Sequence, residues 1–280
     1  MRFAALLCWL LALVAQPAAA ATTPALQSLE QKLAWLVADK QGDFGAAALD
    51  LKTGELVSIN ADEPFPMAST VKVAIAANYL SHVENGNRSL DDRIAGRSAA
   101  NLMRAMIIHS DNYATDLLLK DLGGPETVQA WLKQHHVTGL RIDRNIAQLL
   151  RAKRDLRDIR DSSTPRAMVH LLQRLDSGKM LRPSSRSYLL DLMGRCMTGK
   201  NRIRGMLPAG ARVEHKTGTL NGLSTDVGFI TLPDGRRVAV AFFARYGSDR
   251  PRTIAQAARE IYYGFAAAVT SSFKPAFATP

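Results

Sequence analysis

The chain carries two hydrophobic rhythms. Leu26, Leu29, Leu33, Leu36 and Val37 recur at the spacing of one helical face, predicting an amphipathic opening helix over 26–37. From 44 to 60 the pattern is that of two strands around the polar turn Lys52-Thr53-Gly54-Glu55. An apolar, Ala-rich run, 73–80, predicts a buried helix. Three- and four-residue spacing continues through 99–109, 113–122, 126–135, 165–176 and 184–197, with Gly123-Gly124-Pro125 as a stop and restart. After Leu207-Pro208-Ala209-Gly210 the rhythm becomes strand-like over 212–217, 225–231 and 237–244, the last two joined by Pro233-Asp234-Gly235. A final helix is expected over 252–269.

This order predicts an α+β architecture. The two ends of the chain pair into one antiparallel sheet with the first and last helices packed on it, and the middle forms a helical subdomain. The expected division is 22–62 with 208–280 for the α/β part and 63–207 for the helical part, with a site in the cleft between them. Hydrophobic residues make up 47% of the 280, enough for a sizeable core.

The beginning of the chain reads differently. Met1-Arg2, an apolar run over 3–14 and Pro17-Ala18-Ala19-Ala20-Ala21 have the form of a signal peptide over 1–21, with an Ala-x-Ala cleavage site near Ala20 or Ala21. Its apolar part is too short to span a bilayer, so the expectation is an exported protein, periplasmic or secreted, with no membrane span after cleavage. Cys8 lies inside this leader. Cys196 is then alone in the mature chain and cannot form an internal disulfide, so it reads as a buried structural thiol. The formal net charge is +11, but the Arg residues are scattered and lack interleaved aromatics. That reads as a solvated basic surface, with some attraction for an anionic envelope or carboxylate substrates, and argues against nucleic acid. The six His residues, His135-His136 among them, lack metal-ligand spacing, so neither metal nor other cofactor is implied.

Candidate chemistry concentrates in Pro64-Phe65-Pro66-Met67-Ala68-Ser69-Thr70-Val71-Lys72. Pro66 can precede a helix but not sit inside one, which puts the helix start near Ser69. Ser69 and Lys72, three apart, then share one face within a turn. A serine hydroxyl needs a neighbouring base to act as a nucleophile and a donor for the oxyanion it creates, and helix-terminal N–H groups supply part of the second. Ser-x-x-Lys alone is a common pattern, usually a helix cap and a solvated lysine. Downstream, in order, come Ser110-Asp111-Asn112 and Lys216-Thr217-Gly218. Residues two apart in an extended segment project to one side, which would turn Ser110 and Asn112 to the cleft and Asp111 inward, and an Asx turn capping the next helix is compatible with this. Lys52-Thr53-Gly54 precedes the serine in a polar turn and is read as that turn only.

The ordered trio resembles the signature of class A β-lactamases and penicillin-binding proteins. The resemblance spans roughly 26–269 and also includes Phe65-Pro66-Met67, Leu117-Leu118, Gly123-Gly124-Pro125 and Leu207-Pro208-Ala209-Gly210. It implies the class A β-lactamase architecture and an acyl-enzyme on Ser69, with Lys72 as a candidate base and Ser110 relaying a proton to the leaving nitrogen. Asn112 would hold a substrate amide and Lys216 with Thr217 the substrate carboxylate. Gly218 would let the substrate backbone lie against the strand edge, and the N–H groups of Ser69 and Thr219 would form the oxyanion hole. Arg160-Asp161-Ser162-Ser163-Thr164-Pro165 resembles the closing end of the family's Ω-loop, with Arg144 at the opening end and an Arg144–Asp161 ion pair as its clasp.

Two departures matter. The stretch between Ser69 and Ser110 is shorter than in that family and lacks the loop that places an aromatic on the cleft rim, which implies a more open site. The Glu that activates the deacylating water in class A enzymes is replaced by Ile146, and Leu150 stands for the usual Asn. Asp155 and Asp158 lie in the same loop but are not placed by the motif. The leading expectation is a monomeric serine hydrolase that opens β-lactams and deacylates slowly. Its alternatives are a D-Ala-D-Ala carboxypeptidase acting on peptidoglycan stem peptides and a non-catalytic muropeptide or β-lactam binder.

Overall fold

The computed structural model describes residues 23–272; the leader and Cys8 lie outside them. In chain order the elements are α1 (Pro24–Ala38), β1 (Asp43–Asp50), β2 (Leu56–Ile59), β3 (Phe65–Pro66), a 3-10 turn (Ala68–Val71), α2 (Lys72–Glu84), β4 (Arg93–Ile94) and β5 (Arg97–Ser98). Then come α3 (Ala99–Ile108), α4 (Asn112–Asp121), α5 (Pro125–Gln134), α6 (Ile146–Arg151), β6 (Ser162–Ser163), α7 (Pro165–Asp176) and α8 (Pro183–Gly194). A second 3-10 turn (Ile203–Met206), β7 (Val213–Leu220), β8 (Leu223–Thr231), β9 (Arg237–Arg245) and α9 (Arg250–Ser272) complete the order.

The five-stranded antiparallel sheet runs β2-β1-β9-β8-β7, so strands from both ends of the sequence meet at β1 and β9. Both faces are covered, and the period of two sorts the side chains. In β9, Val238, Val240, Phe242 and Ala244 face α1 and α9, while Ala239, Ala241 and Phe243 join the core of the helical layer. Such double burial explains why the strand reads as an unbroken apolar run rather than an alternation. In α9, Ile254, Ala257, Ala258, Ile261 and Phe265 form the stripe that covers the first face, beside Leu26, Leu29 and Leu33 of α1.

The helical layer is built round α2, whose residues from Lys72 to Leu80 are all buried. The predicted fold class holds, and the differences are local. The strand expected to end at Thr217 continues to Leu220, because the two-residue turn Asn221-Gly222, with Gly222 at φ 78°, folds β8 back on it. The helix expected to reach Met197 stops at Gly194. The short α6 was not foreseen; a six-residue element has too little length to show a period.

One loop links the layers. The segment between Arg144 and Asp161 is closed by the Arg144 Nε to Asp161 Oδ2 ion pair at 2.5 Å, with both side chains largely shielded from solvent. Asp161 Oδ1 also accepts the amides of Asp143 (2.8 Å) and Arg144 (2.9 Å). Backbone pairing of Phe65 with Ser163 and of Pro66 with Ser162 then fastens the loop to the strand that leads to Ser69. Removing one partner of a shielded ion pair strands the other, so Arg144→Ala should cost on the order of 3 kcal/mol in chemical denaturation. Protease cleavage within 145–160 should rise in parallel. Unchanged stability and unchanged cleavage would mean that the backbone pairing alone holds the loop.

Candidate active site

Met67 is the hinge on which the nucleophile segment turns. Its amide donates to Asp161 O at 2.9 Å, and its carbonyl accepts from Thr70 N (3.1 Å), Thr70 Oγ1 (2.8 Å) and Thr225 Oγ1 (3.3 Å). These bonds favour a tight three-residue turn, so Ser69 lies in a 3-10 turn and α2 begins only at Lys72, rather than at Ser69 as expected. Ala68, just before the serine, has φ 48°, a costly conformation for a residue with a Cβ. Packing holds it there: Ala68 is buried with Leu156 of the loop and Leu223 of β8.

Gly218 of the edge strand β7 completes this contact. A Cβ there would stand 2.6 Å from Met67 O and 3.0 Å from Ala68 Cβ. The missing side chain therefore makes room for the protein's own nucleophile turn. Ser69 and Thr219, each one residue further on, are brought to the same junction between turn and strand.

Ser110-Asp111-Asn112 is not the extended segment expected. Ser110 is left-handed (φ 60°), Asp111 is the N-cap of α4 with Oδ1 accepting Ala114 N at 2.7 Å, and Asn112 is the first helical residue. The cap still turns Asp111 away while Ser110 and Asn112 converge on one atom. Lys72 Nζ donates to Ser110 O (2.7 Å), Asn112 Oδ1 (2.8 Å) and Ser110 Oγ (3.3 Å). Lys216 Nζ donates to the same Ser110 Oγ at 2.9 Å and to Thr217 O at 2.9 Å. Ser110 thus bridges two fully buried ammonium groups. Ser69 is partly buried, and its hydroxyl forms no hydrogen bond among the described residues.

The electrostatic consequence is large. Burial, and after it the like charge of Lys216, pull the Lys72 amine down to about 7, against the opposing pull of Asp111 and Asp116. Burial likewise lowers Lys216 to about 8, with Asp226 opposing and Arg202 assisting. A neutral amine is therefore accessible at Lys72 near neutral pH, which its ordinary value would not allow.

Three supports escaped sequence reasoning. Arg202, nearly fully buried, donates to Gly218 O (2.8 Å), Thr225 O (2.8 Å) and Thr219 Oγ1 (2.6 Å), bracing β7 where the trio ends. Asp116 lies one helical turn beyond Asn112, a spacing that could have revealed it, and accepts the amides of Ile146 (2.7 Å) and Ala147 (2.9 Å). A chain of side chains, Cys196 Sγ to Thr198 Oγ1 (3.3 Å) to Thr217 Oγ1 (2.5 Å), reaches the carboxylate-binding candidate from the buried thiol.

At the position of the family's Glu the loop carries an apolar side chain. Ile146 is 5% exposed and belongs to the helical core, whereas Leu150 is 47% exposed. Asp158 is bonded to Arg160, which holds its carboxyl down at about 2, and to Arg144 as well. Asp155 caps the amide of Arg157 at 2.8 Å.

The comparisons with known proteins agree with this geometry. Residues 28–265 match the profile of the Beta-lactamase enzyme family. The carbapenem-hydrolyzing β-lactamase KPC of Klebsiella oxytoca is 33% identical over 84% of this chain and 87% of its own length. The β-lactamase L2 of Stenotrophomonas maltophilia is 35% identical over 72% of each. Among solved structures, the class A β-lactamase of the last common ancestor of Gram-negative bacteria superposes with a TM-score of 0.80 at 35% identity, covering 85% of this chain and 99% of that one. The chain belongs to the class A β-lactamase family, and it is a serine hydrolase of that type.

The paired lysines give a test with a definite sign. Loss of a neighbouring positive charge favours protonated Lys72, so Lys216→Met should move the acid limb of the acylation pH profile upward from about 7. Stopped-flow acylation between pH 5 and 9 measures it. A limb that stays in place or moves down would show that the two amines are not coupled.

Proposed function

We propose that the chain is a β-lactam-opening hydrolase, exported by its leader, that forms an acyl-enzyme at Ser69 and releases it slowly. Neutral Lys72 accepts the Ser69 hydroxyl proton as Oγ attacks the lactam carbonyl. The carbonyl oxygen takes the developing charge at the Ser69 and Thr219 N–H groups, and the C–N bond then breaks. Ser110, hydrogen-bonded to both lysines, passes a proton to the departing nitrogen, with Lys72 restoring it. Lys216 and Thr217 hold the substrate carboxylate, and Asn112 its side-chain amide. The observation that carries this reading is the buried Lys72 Nζ–Ser110 Oγ–Lys216 Nζ chain, with its amines lowered to about 7 and about 8.

Deacylation is a separate requirement. Water must be deprotonated near the ester, and the position that holds a Glu in the family is here an apolar side chain turned into the core. The same feature favours a second reading, a D-Ala-D-Ala carboxypeptidase, which shares the acylation parts. Loss of a general base costs ~10²–10⁴ in rate. A chromogenic cephalosporin should therefore give a burst near one equivalent and then a slow steady state. Rapid turnover without a burst would contradict slow deacylation, and D-Ala release from a pentapeptide faster than steady-state cephalosporin hydrolysis would favour the peptidase. Ile146→Glu combined with Leu150→Asn should raise the slow phase more than Ile146→Glu alone.

A further inference from the structure

A concavity of about 480 Å³ lies between α7 and the 136–139 loop. It contains none of the residues of the proposed chemistry. Arg166, His170 and Arg174 enter it from α7, four residues apart and so on one helical face, and His136 enters from the loop. Its acid, Asp62, is already committed: Arg166 grips it with two bonds, at 2.7 and 3.0 Å.

Arg174 has no such partner. Its guanidinium makes no ion pair among the described residues, whereas Arg166 is paired with Asp62. What distinguishes Arg174 is its place: it lines the concavity on the same helical face as Arg166 and His170, and its charge is not matched by a carboxylate among the described residues. The neighbouring His135 ring registers the same field. Burial first, and then Arg174, lower its proton affinity, which puts the Arg174 charge close to this ring. The volume suits a small molecule rather than a single water. The guanidinium fork of Arg174 matches the planar oxygens of a carboxylate or phosphate.

We propose that this cavity is a second ligand site, taking a compact multianion that carries phosphate or carboxylate groups, with Arg174 as its principal contact. His136 and His170 donate from the rim, and the Asp62–Arg166 pair forms a neutral wall. Nothing in this assignment depends on the reaction at Ser69.

Calorimetric titration of the mature protein with pyrophosphate and, separately, with citrate tests it, since the tighter of the two identifies the preferred oxygen chemistry. One saturable site per chain is expected, weakened at least about tenfold in Arg174→Gln and less in Arg174→Lys, which keeps the charge but loses the fork. His170→Gln, an exposed change, should weaken it about threefold and keeps the test open if the arginine variants fail to fold. Lys216→Met, in the other cleft, should leave the affinity unchanged, and so should Arg174→Gln for β-lactam acylation. Non-saturating binding, equal affinity in Arg174→Gln and His170→Gln, or loss of binding in Lys216→Met would overturn the proposal.

Discussion

The structure turns on a cation with no access to water. Lys72 is fully buried, and a desolvated ammonium is tolerated only when its protons find acceptors or its charge is lost. Three acceptors converge on it: the Ser110 carbonyl and hydroxyl and the Asn112 side chain. To offer both oxygens at once, Ser110 takes a left-handed conformation, which Asp111 stabilises by capping α4. Lys216, brought in from β7, adds a second buried charge to the same hydroxyl. The strain at Ser110, the helix cap and the lowered amines follow from this one arrangement.

Around that centre, β7 and the loop hold the nucleophile turn from opposite sides. Gly218 abuts Met67 and Ala68 from the sheet, and Asp161 accepts the Met67 amide from the loop. Ala68 is strained because both supports press on it, and Leu156 and Leu223 fill the remaining space. In the same loop the position of the family's Glu is held by Ile146. The loop's carboxylates are engaged by Arg144, Arg160 and backbone amides, and Ile146 contributes core packing.

Much of this was legible in the sequence. The change of hydrophobic period marked the helical middle and the terminal strands. The turn Asn221-Gly222, a hairpin dipeptide that extends β7 past Gly218, was overlooked, so the strand was expected to stop at Thr217. The left-handed Ser110 was not legible, since nothing in a serine's intrinsic preferences asks for positive φ; it ends α3, letting Asp111 N donate back to Ala105 O at 3.0 Å, and turns both its oxygens to Lys72. Arg202 was hidden for a related reason. Its acceptors belong to strands that are remote in sequence, so no spacing announces it. The role of Gly218 was half visible: the need for a missing side chain was plain, and the neighbour that uses the space was not.

The account's central claim is that Ser69, served by buried Lys72, forms an ester that outlives its formation. Intact-protein mass spectrometry after brief mixing with a penicillin, followed by peptide mapping, tests it most directly. The account predicts a single whole-penicillin adduct on the peptide containing Ser69, persisting after free drug is removed, and no adduct in folded Ser69→Ala. An absent adduct, or one of equal yield in Ser69→Ala, would contradict it.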